Sequence, residues 1–275
     1  MQKVLFIGEF TCGKRTLVNA LLSKQVLNTS DVLEIDRGYV KEIVSGDSER
    51  CFTVNKDGKK ELLNLDDFRK TMMDDFDADP PLRDTEYIVY ECPAQANNLT
   101  FTVVNPCMLV YGYKHGQYGQ EILSFPCWKN DAVVYVLNAA MPFLQNDRNY
   151  IERYLSDGAN RNLFFCINRM DTIEKKYVSE IKNITKERLK DVFTANGVFD
   201  EALYQSRVFF IDAYHSLNAR LGRASHIHFG DVDVKDIDTG VPEFEYTLRK
   251  FLQQQSIAKQ RVMEQRRGQQ INVGL

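Results

Sequence analysis

The segment from Val4 to Leu22 constrains the fold more than any other stretch of this chain. It begins with a short apolar run typical of a β-strand, continues with a loop framed by Gly8 and Gly13, and resumes apolar residues at helical spacing. Glycines allow successive backbone N–H groups to turn toward a phosphate, the helix N-terminus adds partial positive charge, and Lys14 adds a mobile cation. The segment therefore predicts a strand, a phosphate-binding P-loop and a helix.

One residue departs from the P-loop pattern. The position after the P-loop lysine normally carries Ser or Thr, whose hydroxyl binds the Mg²⁺ that accompanies the nucleotide. Here that position is Arg15. Whether the chain hydrolyses a nucleotide depends on this substitution.

Composition limits the class of protein. The chain has 275 residues, of which 44% are hydrophobic, enough for one large α/β domain with an appendage. A formal net charge of -3 excludes a strongly basic nucleic-acid-binding protein, and we predict no nucleic-acid partner. The six cysteines form no C-x-x-C pair, which favours reduced thiols and a cytoplasmic protein. The absence of a signal-like segment and of a long apolar run predicts a protein that is soluble or at most peripheral to a membrane.

A second motif indicates which base the nucleotide carries. The apolar run 163–167 predicts a buried strand, and it is followed by Asn168-Arg169-x-Asp171. A carboxylate at Asp171 can accept hydrogen bonds from N1 and the exocyclic amine of guanine, a pattern that adenine does not offer. Asn168 is expected to brace neighbouring loops, and the planar guanidinium of Arg169 can stack on the base.

The order of apolar runs predicts the architecture. Continuous runs that alternate with helical patterns indicate an α/β, P-loop NTPase-type three-layer fold, a mostly parallel sheet flanked by helices, with an additional C-terminal helix. The strands 87–90 and 99–104 are predicted to form an antiparallel pair, and 208–211 one more buried strand. Strands are predicted at 39–44, 51–54, 87–90, 99–104, 132–137, 163–167 and 208–211, and helices at 14–23, 65–76, 146–155, 175–193 and from 242 to about 267.

The C-terminal part differs in character from the rest. Pro242 is placed for the first turn of a helix, and beyond Leu252 that helix becomes largely polar. A polar helical end predicts a segment whose partner surface lies elsewhere. We therefore predict a globular domain at 1–240 and, at 241–275, a C-terminal helix that starts a helical bundle or stalk.

These motifs, in this order, resemble the dynamin superfamily. The sequence GEFTCGKRTLVNALL is similar to the G-E-F-S-S-G-K-S-T-L-I-N-A-L-L of its bacterial members. The similarity continues through Tyr90–Pro93 and Leu99–Asn105, then through the strand and helix at 131–148 and the N-R-x-D motif. Finally, Asp212-Ala213 lies where the family has its S-A-K/R loop. The resemblance covers nearly the whole chain.

The resemblance implies roles for particular residues. Lys14 and Thr11 would be catalytic, Thr11 lying beside the β-phosphate, and Asp212 and Ala213 would flank the base. Thr11 and Thr16 have an alternative interpretation as hydroxyls that merely cap the helix. The complete nucleotide-binding prediction is Gly8, Glu9, Phe10, Thr11, Cys12, Gly13, Lys14, Arg15, Thr16, Asn168, Arg169, Asp171, Asp212 and Ala213.

The departures from the family concern the metal. Arg15 replaces the hydroxyl ligand, Asn105 the carboxylate that orients a magnesium-bound water, and Met108 the glycine whose N–H meets the γ-phosphate. The switch I threonine is expected at 33–35, where the chain has Leu, Glu and Ile. We therefore predict no metal-ligating residues of the family type.

Two explanations of these departures remain open. In the first, Arg15 pairs with a phosphate, or with Glu34 or Asp36, and nucleotide binding is magnesium-independent or lost. In the second, Asp31, Glu34 or Asp36 supplies a displaced metal ligand and slow hydrolysis persists.

The resemblance also implies a function. It implies GTP or GDP as ligand, and GTP-dependent self-assembly coupled to membrane remodelling. It further implies a homo- or hetero-dimer through the G domain, and peripheral membrane contact through regions outside this chain. The alternative is a catalytically inactive pseudo-GTPase that acts as an interaction module or as the partner of an active dynamin-like protein. A third class, an interaction protein that binds no nucleotide, would show a flat titration with a GTP analogue.

Overall fold

The computed structural model describes residues 2–9, 11–27, 29, 40–68, 85–93, 99–104, 130–156, 162–223 and 238–272, with side chains of the last segment described to residue 265. The strands are β1 (Gln2–Ile7), β2 (Val40–Gly46), β3 (Arg50–Asn55), β4 (Lys60–Leu63), β5 (Thr85–Pro93), β6 (Leu99–Val104), β7 (Ala132–Asn138), β8 (Leu163–Asn168) and β9 (Val208–Phe210). The helices are α1 (Lys14–Leu22), α2 (Gln145–Ser156), α3 (Val178–Ala195), α4 (Glu201–Gln205), α5 (Ala213–Arg220) and α6 (Val241–Asn272).

The described strands form one mixed sheet in the order β4-β3-β5-β2-β6-β1-β7-β8-β9. β1 pairs in parallel with β6 and β7, and β8 continues the parallel part between β7 and β9. The antiparallel pairs are β2 with β6 and β3 with both β4 and β5. Because β1, β7 and β8 run in the same direction, their carboxyl ends meet at one edge of the sheet, and the mostly parallel α/β prediction is confirmed.

One predicted strand pair is wrong. β5 and β6 run antiparallel to each other, but β2 lies between them and pairs with both. The five connecting residues 94–98, which lie outside the described part of the chain, can span up to about 17 Å when extended. That length exceeds the roughly 10 Å between a strand and its next-but-one neighbour. The short connection between β5 and β6 therefore does not require the two strands to pair as a hairpin. The hydrophobic pattern alone does not indicate which strand pairs with β5 or with β6.

Both faces of the central strands are covered, as continuous apolar runs predict. In β1, Val4 and Phe6 pack into one core, and Leu5 and Ile7 into the other. α1 and the first half of α6 cover the first face, and α2, α3 and α4 cover the second. Every residue of β7 except the last is buried. The continuous apolar run of β7 is therefore buried between the two helical layers of the three-layer fold.

Several helix predictions are confirmed, and a few elements differ. α1, α2 and α6 lie where they were predicted, whereas the segment predicted from residue 175 begins with a 3-10 turn, Lys175–Tyr177, before α3. The sequence analysis did not predict β4, α4 or α5. Residues 65–68 are helical, and the rest of the helix predicted at 65–76 lies outside the described residues. β9 is an edge strand, and of the segment 208–211 predicted as a buried strand Phe209 and Ile211 are buried, whereas Val208 and Phe210 are partly exposed.

The beginning of α6 packs closely against the sheet. Phe244, Leu248, Phe251 and Leu252 are buried in the same core as α1. The guanidinium carbon of Arg207 lies 4.1 Å from the ring centroid of Phe251 and 4.1 Å from that of Phe164 on β8, which fixes the helix over the strand. Among the described residues, no helix combines the length and the apolar character needed to cross a membrane.

Candidate functional site

The loop between β1 and α1 is held against the carboxyl ends of two neighbouring strands. At Gly8, where φ is +153°, a Cβ atom would lie 2.1 Å from the carbonyl oxygen of Val136 on β7. At Gly13, where φ is +82°, a Cβ atom would lie 2.2 Å from Nδ2 of Asn168. Only glycine fits these two positions, because any side chain would collide with the sheet.

Gly13 also begins α1. It is the N-cap residue and has left-handed backbone geometry, and it provides no side-chain cap. The first turn of α1 contains no acidic residue that would neutralise the positive end of the helix. Backbone N–H groups at such a helix start are suited to bind an anion.

Lys14 is folded back over this loop. Its Nζ donates hydrogen bonds to the carbonyl oxygens of Gly8 and Glu9, both at 2.7 Å, and lies 3.5 Å from Sγ of Cys12. The Lys14 residue is only 5% exposed. Burial raises the pKa of the Cys12 thiol, an effect that nearby Lys14 partly opposes. The loop therefore holds an ammonium group against its own carbonyl oxygens, where a phosphate oxygen could compete for it.

Three further residues predicted to bind phosphate are less buried than Lys14. Thr11, with a φ of 60°, is half-buried, and so are Arg15 and Thr16 in the first turn of α1. Burial lowers the pKa of the Arg15 guanidinium from its ordinary value. Phe10 lies outside the described residues.

Asn168 joins the phosphate loop to the loop that follows β9. Its Nδ2 donates to the carbonyl oxygen of Cys12 at 2.9 Å, and its Oδ1 accepts from the backbone N–H of Ala213 at 3.0 Å. The side chain is almost completely buried. The predicted bracing of neighbouring loops by this residue is therefore observed.

The residues predicted to contact the guanine base lie close in sequence to Asn168 and to its partner Ala213. Arg169 has a left-handed φ of 66° and precedes the 3-10 turn Met170–Thr172, which contains Asp171. Both Arg169 and Asp171 are half-buried, whereas Asp212, the N-cap of α5, is buried. Burial raises the pKa of Asp212, and the negative charge of Asp171 raises it further. The structure thus brings two carboxylates together at the carboxyl edge of the sheet.

Sequence reasoning missed His215, which is buried at the start of α5. Asp212 accepts a hydrogen bond from the backbone N–H of His215 at 2.9 Å, and its Oδ2 also contacts Nδ1 of the same residue. Asp171, Asp212 and His215 each place one ligand-type atom within 4.8 Å of the others. The D-x-x-H spacing at a helix start is the signal that could have identified this pair, because an N-cap side chain reaches the N3 residue.

A second missed group lies behind the phosphate loop. Asp147, on the first turn of α2, is almost completely buried and accepts hydrogen bonds from the hydroxyl of Tyr135 at 2.9 Å and the N–H of Leu144 at 2.8 Å. Burial raises its pKa to about 6, and the charge of Glu9 adds to this, whereas the two hydrogen bonds and Lys14 lower it. An aspartate three residues after a helix start is a recognisable capping signal, but its burial depends on Tyr135 from another element.

The residues on which the metal prediction depends are only partly described. Asn105, Met108 and the switch I positions 31–36 lie outside the described residues. Within the described part of the loop, the position after Lys14 presents a guanidinium, which has five donors and no lone pair for a metal ion. The loop therefore does not fit a magnesium ion bound in the way that a Ser or Thr at this position would bind it.

Comparison with known proteins places these features in a family context. The sequence is 24% identical to human (Homo sapiens) mitofusin-2 over 227 residues, which are 81% of this chain and 29% of that protein. It is also 24% identical to the mitofusin-2 of Rattus norvegicus over 228 residues, again 81% and 29% of the two proteins. The chain thus spans less than a third of the length of these curated relatives. No protein-family model matches the chain.

The fold is similar to that of a solved bacterial dynamin. The TM-score is 0.58 with 16% sequence identity, covering 100% of this chain and 44% of the other. That structure is described as an oligomerised bacterial dynamin pair that provides a mechanism for the long-range sensing and tethering of membranes. At this level of identity the likeness concerns the fold.

Proposed function

We propose that this chain is a GTPase domain of the dynamin superfamily and that it binds guanine nucleotide, GTP or GDP, across its phosphate loop and the two loops after β8 and β9. In this proposal the loop 8–16 holds the phosphates. Asp171 accepts hydrogen bonds from the guanine base, Arg169 stacks on it, and the Asp212-Ala213 segment flanks it.

One observation carries the proposal. The buried side chain of Asn168 is hydrogen-bonded both to the phosphate loop at Cys12 and to the base loop at Ala213. A nucleotide extends from its phosphates to its base, so the two loops must keep a fixed separation. The side chain that would set this separation is part of the N-R-x-D motif itself.

The charges of the loop support the phosphate half. Lys14 is buried and makes its hydrogen bonds to carbonyl oxygens of the loop. An incoming phosphate oxygen would form a charge-assisted hydrogen bond with this ammonium group, which is stronger than a bond to a neutral carbonyl oxygen. The open N-terminus of α1 adds further attraction for negative charge.

Turnover is a separate part of the proposal. Because Arg15 stands at the position of the metal-binding hydroxyl, we infer that GTP hydrolysis is slow or absent. The second candidate function is therefore a pseudo-GTPase that binds nucleotide and pairs, as a homo- or hetero-dimer, through its G domain. Contact with a membrane would come through regions outside this chain, with the domain itself cytoplasmic.

Base specificity provides the sharpest test of nucleotide binding. Guanine has an amine at C2 that donates to a carboxylate, whereas xanthine has a carbonyl oxygen there. We expect Asp171→Asn to weaken binding of a fluorescent GDP analogue and to favour the xanthosine analogue, because an amide can donate to that oxygen.

Lys14→Ala should lower the affinity for the GDP analogue by about tenfold to a hundredfold, which corresponds to the loss of a hydrogen bond to a charged group.

The matched control is Lys176→Ala, which removes an exposed lysine that pairs with Glu174 and is not among the residues proposed to bind nucleotide. This variant should bind as the wild type does. A flat titration of the wild-type chain with both GDP and GTP analogues would contradict the proposal and favour the third class, an interaction protein without nucleotide. Phosphate release from GTP that Lys14→Ala abolishes would instead establish an active GTPase.

A further inference from the structure

Arg15 carries a permanent positive charge. At this position a P-loop normally has Ser or Thr, whose hydroxyl binds a Mg²⁺ ion from solution. A guanidinium stays protonated at all physiological pH values and has no lone pair for a metal ion. A divalent cation placed beside it would be repelled by its charge. The neighbouring hydroxyl of Thr16 lies about 100° further round α1, so it does not restore a ligand in the same direction.

Lys14 and Arg15 are also consecutive residues of α1, and their side chains leave the helix about 100° apart. Lys14 reaches back to the carbonyl oxygens of Gly8 and Glu9. Arg15 therefore leaves α1 in a different direction from the lysine. The loop supplies two fixed positive charges, whereas a loop with Ser or Thr after the lysine supplies one and adds a metal ion.

The chemistry of Arg15 suits a phosphate partner. The residue is half-buried, and burial lowers the pKa of its guanidinium because the charged form loses hydration. A phosphate group can accept two parallel hydrogen bonds from a guanidinium, which compensates for lost hydration more completely than a single contact does. The N-terminus of α1, in whose first turn Arg15 lies, also favours negative charge.

We propose that Arg15 takes the place of the magnesium ion in this chain, so that guanine nucleotide binds without Mg²⁺ and its outer phosphates are neutralised by Lys14 and Arg15 together. This inference rests on the proposed nucleotide-binding function. It names Arg15 as the positive charge that, with Lys14, balances the negative charge of the phosphates.

The test measures affinity for a fluorescent GDP analogue and a non-hydrolysable GTP analogue, each in excess Mg²⁺ and in EDTA. The wild-type chain should bind with affinities that agree within about twofold in the two conditions, a free-energy difference below 0.5 kcal/mol by the usual conversion. Arg15→Ser should lose about tenfold to a hundredfold in EDTA, because one charged hydrogen-bond donor is gone. Arg15→Lys should keep part of the affinity in EDTA, because it keeps the charge without the bidentate geometry.

The control variant is Arg148→Ser, which removes an exposed arginine that pairs with Glu152 on α2. It should bind in both conditions as the wild type does. Circular dichroism of each variant separates a loss of affinity from a loss of fold. If Arg15→Ser does not fold, Arg15→Lys and the wild-type comparison still decide the question.

Different outcomes bear on the two proposals separately. Wild-type binding that falls tenfold or more in EDTA would overturn the role of Arg15 while leaving nucleotide binding intact. Arg15→Ser that binds in EDTA as well as the wild type would also overturn it. If Arg15→Ser binds weakly in EDTA, the proposal that Arg15 replaces Mg²⁺ is supported, whether or not added Mg²⁺ restores the affinity of this variant. No binding by the wild type in either condition would instead contradict the proposed function itself.

Discussion

At the scale of single residues, Asp147 is the side chain whose environment differs most from what its position suggests. It lies on a surface helix, yet it is almost fully buried against Tyr135 and within electrostatic range of Glu9 and Lys14. Its pKa is raised to about 6 because burial disfavours the charged form. The polar layer behind the phosphate loop therefore contains a carboxyl group that exchanges its proton under mildly acidic conditions.

This shift predicts a pH dependence of stability. Between about pH 4 and pH 6 the unfolded chain has released the proton of Asp147 and the folded chain has kept it, so this group lowers stability as pH rises. Above pH 6 the whole penalty, about 3 kcal/mol, is present. Asp147→Asn removes it, so the difference in unfolding free energy between the variant and the wild type should move in favour of the variant from pH 4 to pH 7. Urea denaturation across this range measures the change.

The control for this measurement is Asp191→Asn, which changes an exposed aspartate on α3. Its difference from the wild type should stay nearly constant with pH. A constant difference for Asp147→Asn as well would show that Asp147 titrates in the folded protein as an exposed aspartate does.

Residue-scale sequence analysis succeeded where chemistry is local. The glycines of the phosphate loop and the bracing by Asn168 follow from a motif, and the structure shows the close approaches and hydrogen bonds that they require. The roles of these residues in nucleotide binding stay predictions. Asp147 and His215 were missed because their burial depends on partners that only the tertiary fold supplies.

At the scale of secondary-structure elements, α6 holds one face of the sheet. Phe244 is completely buried, with its ring centroid 5.4 Å from that of Phe209 and 6.4 Å from that of Phe164. The sequence predicted the helix from Pro242 onward but not the face it covers. The continuous apolar runs predicted that β7 and β8 are covered on both faces, and their residues, except the last of β7, are buried. Their position near the β9 edge of the sheet and the neighbours of β2 did not follow from the sequence.

This packing predicts a strong contrast between two aromatic residues on the same helix. Phe244→Ala should lower the free energy of unfolding by about 3 to 5 kcal/mol, because it leaves a cavity between α6 and the sheet. Tyr246→Ala, two residues away and 67% exposed, is the matched control and should cost less than about 1 kcal/mol. Chemical denaturation of both variants gives the comparison. Equal effects would mean that α6 does not hold this face of the core.

At the scale of the whole molecule, α6 belongs to two environments. Phe244, Leu248, Phe251 and Leu252 on its first half are part of the core, whereas Ile257, Val262 and Met263 further along are exposed apolar side chains. The division at 240 was predicted from composition alone. The burial of Phe244, Leu248 and Leu252 leads us to propose that the body of the domain extends to about residue 252.

Truncation tests this proposal. A chain that ends at Ser256 should keep the wild-type unfolding free energy within about 1 kcal/mol, because the ion pair that it loses among the described contacts joins the exposed Lys259 to the partly buried Asp131. A chain that ends at residue 240 should not unfold cooperatively, since it lacks the buried first half of α6. Thermal unfolding followed by circular dichroism distinguishes the two. A stable, cooperative 1–240 fragment would place the boundary where composition predicted it.

The amide of Asn168 has a consequence for the energetics of binding. One buried side chain is hydrogen-bonded both to the loop before α1 and to the start of α5, so we expect a ligand that orders one of these segments to favour the bound arrangement of the other. If bound phosphate raises the affinity for a nucleoside by some factor, bound nucleoside must raise the affinity for phosphate by the same factor. The two halves of the proposed nucleotide site would then act as one cooperative unit, with Asn168 as the residue through which each half responds to the other.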